Sequence, residues 1–445
     1  MMRTFKTIVI GGGVGGAGAA MRAAAHGQSV AVIEQRDWGG TTVTRGSTPK
    51  KVLLGGVEAH HAYCEQNGPV NVPPVNWSRL TAHRDAVVSQ TQERFKQRFQ
   101  ANGITPIEGH AEFLNSRQIR VNGETLTAEN FVIATGARPR ELALPGSQLI
   151  DHSGSFFRSH ALPKRLTILG AGVIAFAIAG IASEAGAAVT LIQHNRVALR
   201  GFDAELVAAL IASLAKQGVQ VIFDDELTQV TGQPGDLQVT TKGGRQWSTN
   251  AIYSALGRLA NVEDLNLKAA QVAVTAHGIQ VDEYLQTSNP HIFAVGDCAV
   301  TATPNLANYA VFQGKYVGDL LAATTEFPIK YPLQASAVFS IPRLAQVGTG
   351  VAAARQDSNH YALRSVNLSQ WLTYQRHYDD RAKLVMVVNR QSGQVVGAEA
   401  IGYQADVLIN YLALLIQQHI TPEQLHDTFF AYPSMAADLY GIWTD

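Results

Sequence analysis

Two glycine-rich turns stand in this sequence at matching spacing. The first, Gly11-Gly12-Gly13-Val14-Gly15-Gly16, follows the apolar run Ile8-Val9-Ile10, and Glu34 comes 23 residues after Gly11. The second, Gly170-Ala171-Gly172-Val173-Ile174-Ala175, follows the apolar run 166–169, and Gln193 comes 23 residues after Gly170. Gly11 permits a tight turn, Gly13 lets the backbone approach a pyrophosphate, and Gly16 lets helix and strand pack closely. The helix that follows offers its unbonded amides to phosphate. Glu34 is placed to accept hydrogen bonds from a ribose diol. The second turn repeats the design with Gly170 and Gly172 but has no acid. Gln193 and His194 stand there instead, with Arg196 and Arg200 just beyond. An acid grips a free 2′-hydroxyl and repels a 2′-phosphate, and cations do the reverse. The second site is therefore expected to take NADP(H) ahead of NAD(H), although the arginines also read as ordinary surface charge. Two dinucleotide sites in one chain imply a bound flavin and a diffusing nicotinamide, whose rings must meet for hydride to pass.

The elements that must position these residues are strand, turn, helix and strand, read twice. Residues 8–10 form a buried strand, 17–25 an alanine-rich helix closed by Gly27, and 29–33 a second strand. The later copy runs from strand 166–169 to strand 188–192. At 445 residues the chain exceeds one hydrophobic core, so two or three domains are expected. With 35 basic and 35 acidic residues there is no charge excess to recruit nucleic acid or an anionic membrane. No run approaches the roughly 18 apolar residues of a membrane span. The opening MMRTFKTIVIGGG is too briefly apolar for a secretory signal, so a cytoplasmic protein without membrane insertion is expected. The two cysteines, Cys64 and Cys298, are too few for a disulfide framework or a cysteine zinc site. His60 and His61 fall in a polar helical stretch with no acid or histidine cluster framing them in sequence. They read as solvated surface, and no metal site is expected.

The stretch Gly39-Gly40-Thr41-Thr42-Val43-Thr44-Arg45-Gly46-Ser47-Thr48-Pro49-Lys50-Lys51 resembles the pyridine nucleotide–disulfide oxidoreductases, which read GGTCxxxxCxPKK here. The resemblance continues through Ala134-Thr135-Gly136-Ala137-Arg138-Pro139, Ala255-Leu256-Gly257-Arg258 and Ile292-Phe293-Ala294-Val295-Gly296-Asp297. It ends in Tyr432-Pro433-Ser434, where most members have His-Pro-Thr. It implies that the first turn and Glu34 bind FAD, with Thr41 near the pyrophosphate, Asp297 on the ribityl chain and Lys50 near the flavin N5. It also implies that the backbone at Ala111 reaches the adenine and that the amides before and at Ala307 face the flavin N1–O2 edge. A helix N-terminus there favours the negative charge of reduced flavin.

The departures bear on the reaction. The family's two redox cysteines are Thr42 and Ser47, and an alcohol has no disulfide couple. The family's histidine base is Tyr432, and its carboxylate partner is Ala437. In the nicotinamide pocket the family's glutamate is Ala177, which removes the usual partner of Lys50, and its aromatic lid is Val173, so a more open pocket is expected. A packing role is expected for Cys298, and Cys64 is given none.

The fold expected is α/β, with two Rossmann-like dinucleotide-binding domains, the second inserted in the first, and a C-terminal α+β dimerisation domain. The divisions are 1–148 and 259–329 for FAD, 149–258 for NAD(P) and 330–445 for the interface. In the last, strands are expected at 337–340, 345–348, 384–389 and 395–400, and a helix at 405–418. Phe430, Tyr432 and Met435 read either as interface core or as substrate-facing. The function expected is a homodimeric FAD-dependent NAD(P)H oxidoreductase that passes electrons to a small non-disulfide acceptor. Thr42, Ser47, Lys50 and Tyr432 would shape its reacting centre. The rival expectation is a non-catalytic FAD-binding sensor or partner protein.

Overall fold

The run Ile8-Val9-Ile10 lies in a strand, Arg3–Ile10, whose neighbours explain why it is apolar on both sides. In the computed structural model, which describes residues 3–68 and 72–444, this strand pairs in parallel with Val30–Glu34 and with Glu124–Ile133. The opening pair Met1-Met2, residues 69–71 and Asp445 lie outside the described residues. Thr105–Glu108 extends the sheet beyond Val30–Glu34, and Ile292–Ala294 pairs with the end of Glu124–Ile133. The antiparallel strands Gln118–Val121 and Ala111–Asn115 continue from its beginning. Side chains alternate across a strand. Ile8 and Ile10 therefore pack with Ile33, Phe113 and Phe131 on one face, while Val9 packs with Val32 and Phe293 on the other. This sheet belongs to one compact unit, made of Met1–Val52, Thr81–Glu141 and Leu256–Lys330.

Within that unit the helix after the first glycine turn, Val14–Ala25, packs against the helix Ala307–Leu321 with almost no side chains between them. A Cβ on Gly314 would stand 2.1 Å from the Gly15 carbonyl oxygen, and one on Gly18 would stand 2.8 Å from that of Val311. Backbone meets backbone, which fixes where both helices begin.

The second unit comprises Leu53–Leu80, Leu142–Ala255 and Tyr331–Asp445. Its parallel sheet runs Val219–Ile222, Ala188–Ile192, Arg165–Leu169, Ala251–Ser254 and Asp151–His152, and a three-stranded antiparallel sheet covers 227–249. The C-terminal segment forms a five-stranded antiparallel sheet, ordered Ala335–Val338, Arg343–Gly348, Val395–Gly402, Lys383–Asn389 and Tyr361–Asn367. The helix Ala405–Gln417 lies on it, burying Leu408, Ile409 and Leu412. The edge strand Tyr361–Asn367 was not anticipated. Its residues are half-buried or exposed, so it lacks the apolar signature of its neighbours. The placement of 53–80 and 142–148 in the second unit also differs from the expected divisions. Leu53, Leu54 and Val57, on the helix Ser47–Asn67, share a core with Phe156, Phe176 and Ile178.

One buried acid ties this unit together. Asp203 caps the helix Ala204–Lys216 and receives Arg355 at 2.6 Å, while its amide donates to both carboxylate oxygens of Glu399 at 2.9 and 3.0 Å. Burial, abetted by the Asp203 charge, pushes the fully buried Glu399 up to about 8 from 4.5. The folded state thus holds this proton where the unfolded chain has lost it. Stability is full below pH 4.5 and falls as pH rises toward 8. Glu399→Gln is expected to flatten that decline and to raise the melting temperature at pH 8.5, measured against wild type across the range. An unchanged pH profile would show that Glu399 is ionised in the fold.

Candidate functional site

The first glycine turn has the geometry its spacing predicts. Gly11 has φ +114°, and its Cβ would stand 2.3 Å from the Ala134 carbonyl oxygen. Its amide donates to the Ile33 carbonyl at 2.8 Å, which pins the turn to the next strand. Gly13 begins the helix with extended backbone and no side-chain cap, and the nearest non-neighbouring atom to its would-be Cβ is Gly40 Cα at 3.9 Å. Gly16 is filled from behind, since a Cβ there would sit 2.0 Å from the Gly11 oxygen. Glu34, at the end of its strand, accepts from the amides of Gly12 and Arg36, each at 2.8 Å. An open glycine cradle before an uncapped helix, with a fixed carboxylate beside it, fits the pyrophosphate and ribose of a dinucleotide such as FAD. Ala111 is buried close by, because the Gly109 amide donates to the Glu34 carbonyl at 2.9 Å.

The segment 39–51 docks onto this turn. Gly39 pairs with Gly13, and its amide donates to the Gly12 carbonyl at 2.9 Å. Thr41 and Thr42 lie in the short helix Gly40–Thr44, and Ser47 opens the helix Ser47–Asn67 that carries Lys50. All four side chains are half-buried. Burial and the charge of Lys51 bring Lys50 down to about 8. Arg45 pairs with Asp37.

Asp297 lies in a single helical turn, Gly296–Cys298, after the strand Ile292–Ala294. The Gly296 amide donates to Gln313 Oε1 at 2.7 Å, which joins this turn to the helix beginning at Ala307. Arg258 lies 3.7 Å from Asp297 and also donates to the Ala137 carbonyl. Burial raises Asp297, and Arg258 partly offsets the rise. The strands Ala137–Pro139 and Arg258–Ala260 pair antiparallel, with Gly136 and Gly257 at positive φ beside them. The contact of Gln313 with the Asp297 turn was not legible in the sequence, since a lone glutamine in a helix carries no signal.

The second turn repeats the first in detail. Gly170 has φ +100°, and its amide donates to the Ile192 carbonyl at 2.8 Å. Gly172 has open space where a side chain would begin. Gln193 is buried, and its amide group donates to Asn195 Oδ1 and to the Val197 carbonyl. It is used within the loop. His194 and Arg200 are exposed, and Arg196 is paired with Asp224 at 2.5 Å. Val173 is exposed and Ala177 is fully buried.

The remaining chemistry-bearing residues divide sharply. Cys298 is fully buried, its thiol donates to the carbonyls of Ile133 and Val295, and burial pushes it up. It packs. The expectation that His60 and His61 are solvated and unframed is corrected. Both are half-buried, and the Glu184 carboxylate oxygens lie 2.8 and 3.0 Å from their Nδ1 atoms, with Cys64 beside His60. The acid stands 124 positions from His60, beyond the reach of local pattern. Met435 packs within its own chain's core, while Phe430 and Tyr432 are 37% and 69% exposed. Among the described residues no helix is long and apolar enough to cross a membrane.

The chain is 31% identical to a glutathione reductase of Burkholderia cepacia over 98% of this chain and 97% of that protein. It is 29% identical to a mercuric reductase of Staphylococcus aureus, covering 98% of this chain and 81% of the relative. The fold is shared with the HOCl-induced flavoprotein disulfide reductase RclA of Escherichia coli, at a TM-score of 0.89, 24% identity and 98% coverage of each chain. Residues 334–439 match the dimerisation domain of the pyridine nucleotide-disulphide oxidoreductases. Residues 5–314 match that family's main domain, and the chain belongs to this family of FAD- and NAD(P)H-using oxidoreductases.

Proposed function

We propose that this protein is an FAD-dependent NAD(P)H oxidoreductase whose electrons go to a small non-disulfide acceptor. Quinones, a second nicotinamide, dioxygen and electron-poor organic molecules are the chemical classes that fit. The observation carrying the reading is the pair Thr42 and Ser47 at the family's cysteine positions, while the chain's own two cysteines are free. Bound FAD supplies hydride acceptance from the nicotinamide and electron release to the acceptor. Glu34 holds the adenine-side ribose, Gly13 and Thr41 admit the pyrophosphate, and Asp297 holds the ribityl chain with Arg258 limiting its cost of burial. The uncapped amides before Ala307 and the charge of Lys50 favour an anionic ring. Gly136 and Gly257, at positive φ, turn the chain into the paired strands Ala137–Pro139 and Arg258–Ala260. Tyr432 of the partner subunit bounds the acceptor pocket in a cytoplasmic homodimer.

Lys50 carries its charge below pH 8 and loses it above. The rate of flavin reduction is therefore expected to fall as pH rises from 7 to 9, and Lys50→Arg is expected to abolish the fall. A wild-type rate that is flat through this range would remove Lys50 from the reacting centre.

Gly170 and Gly172 seat the nicotinamide dinucleotide, and NADP(H) is the proposed form. His194 and Arg200 face solvent, and Arg196 would exchange Asp224 for the 2′-phosphate. The test is anaerobic mixing. NADPH should bleach the flavin band faster than NADH. Arg196→Ala with Arg200→Ala should weaken NADPH binding about tenfold more than NADH binding. Equal losses would mean that these arginines do not read the phosphate. A flavin that neither coenzyme reduces would support the rival reading of a non-catalytic flavoprotein, which the apolar Ala177 favours.

A further inference from the structure

The second unit contains a set of metal-type donors that the proposed reaction leaves unused. His60 and Cys64 lie one helical turn apart on the helix Ser47–Asn67, so both face the same side. Glu184, the last residue of the helix Val173–Glu184, points its carboxylate at them with only 8% of its side chain exposed. Glu184 Oε1 lies 2.8 Å from His60 Nδ1, Cys64 Sγ lies 3.7 Å from that nitrogen, and the three donors lie within 4.8 Å of one another.

The contacts of His60 leave its Nδ1 turned to the carboxylate. Its Nε2 lies 3.0 Å from the Pro73 carbonyl oxygen. A carbonyl only accepts, so Nε2 carries the ring proton. Its Nδ1 faces a carboxylate oxygen at hydrogen-bond distance. Two acceptors hold that position only across a second proton or a metal ion. An imidazole whose outer nitrogen meets a backbone carbonyl while its inner nitrogen faces a carboxylate, with a thiol beside the ring, is arranged as metal-binding histidines are.

We propose that His60 Nδ1, Cys64 Sγ and Glu184 Oε1 form a site for a divalent transition-metal ion of borderline softness, the zinc class. Nitrogen, sulfur and oxygen together select such an ion over magnesium or calcium, which want oxygen alone. Tetrahedral zinc with its usual bond lengths separates nitrogen and oxygen ligands by about 3.3 Å and nitrogen and sulfur by about 3.5 Å. Loading therefore requires the His60–Glu184 pair to open by about half an ångström and the sulfur, which now stands beside the ring at 3.7 Å from Nδ1 and 3.9 Å from Nε2, to turn toward Nδ1. Three protein ligands leave the fourth position for water or an incoming ligand.

His61 is a positioning residue. Its Nδ1 holds Glu184 Oε2 at 3.0 Å, and its Nε2 lies 3.7 Å from Glu65, which in turn lies 4.0 Å from Arg381. Metal binding to Cys64 releases the thiol proton, so loading is favoured as pH rises.

The experiment is calorimetric titration of Zn²⁺ into the full-length, flavin-loaded protein after treatment with a chelator, with Co²⁺ as a spectroscopic probe. One ion per chain is expected, with a thiolate-to-cobalt charge-transfer band in the near ultraviolet. Cys64→Ser should abolish that band, and Cys64→Ser and His60→Gln should each weaken binding on the order of a hundredfold. His61→Gln should cost about tenfold and keep the band, since it acts through Glu184. Flavin absorbance in each variant reports that the fold is intact. The near-isosteric Cys64→Ser keeps the test valid if His60→Gln does not fold. Failure of Zn²⁺ to bind stoichiometrically, or a cobalt band that survives Cys64→Ser, would overturn the assignment.

Discussion

Glutathione disulfide, lipoamide and coenzyme A disulfide will be turned over at background rates by the reduced protein, on the order of a thousandfold or more below a dithiol-bearing relative. Disulfide exchange begins with attack by a thiolate on sulfur, and a hydroxyl at Thr42 or Ser47 cannot make that attack. Of the chain's two cysteines, only Cys298 lies in the first unit. Cys298 is fully buried and bonded to two carbonyls, and its thiol is held protonated by burial. Reductive titration should accordingly consume about two electrons per FAD, without the long-wavelength band of a thiolate against flavin. Treatment with iodoacetamide should leave reduction by NADPH intact. An uptake of about four electrons, or inactivation by alkylation that Cys298→Ser prevents, would show that a cysteine has been recruited and that the thiol-free mechanism is wrong.

Gly314→Ala, the addition of one methyl group, is expected to cost at least about 3 kcal/mol and to release the flavin. The new Cβ would stand 2.1 Å from the Gly15 oxygen and 2.9 Å from the Ala19 nitrogen, and both are backbone atoms that cannot rotate away. The two helices must part, and their beginnings lie at the glycine cradle and at Ala307. Gly55→Ala is the control. It is also helical, its Cβ would meet nothing within 4 Å, and alanine there should stabilise by about 0.5–1 kcal/mol. Thermal melts and flavin absorbance read both variants. If Gly314→Ala melts with the wild type and keeps its colour, the close helix contact does not set the site.

Some of this was legible in the sequence and some was not, for physical reasons. Gly11, Gly13, Gly16 and Glu34 act through backbone shape and a fixed offset, so local pattern reports them faithfully. The same holds for Gly170 and Gly172. Gln193 was legible as a missing acid, but its inward turn toward Asn195 and Val197 was not, because an amide carries no directional signal. The Gly18 and Gly314 contact joins segments far apart in the chain, and glycine there is indistinguishable from glycine in any turn. Glu184 could not be matched to His60 and His61 for the same reason. Tyr361–Asn367 escaped because an edge strand need not alternate cleanly when one side meets solvent.

The twin turns also differ in how much change each can bear. At the third position of the first turn, any side chain on Gly16 would run into the Gly11 carbonyl oxygen at 2.0 Å. The equivalent residue of the second turn is Ala175, whose methyl group is fully buried and accommodated. In a library of random variants, position 16 will be recovered only as glycine, while position 175 will be recovered as glycine, alanine and serine. The two turns thus differ in tolerance, and the one with Glu34 has the narrower margin.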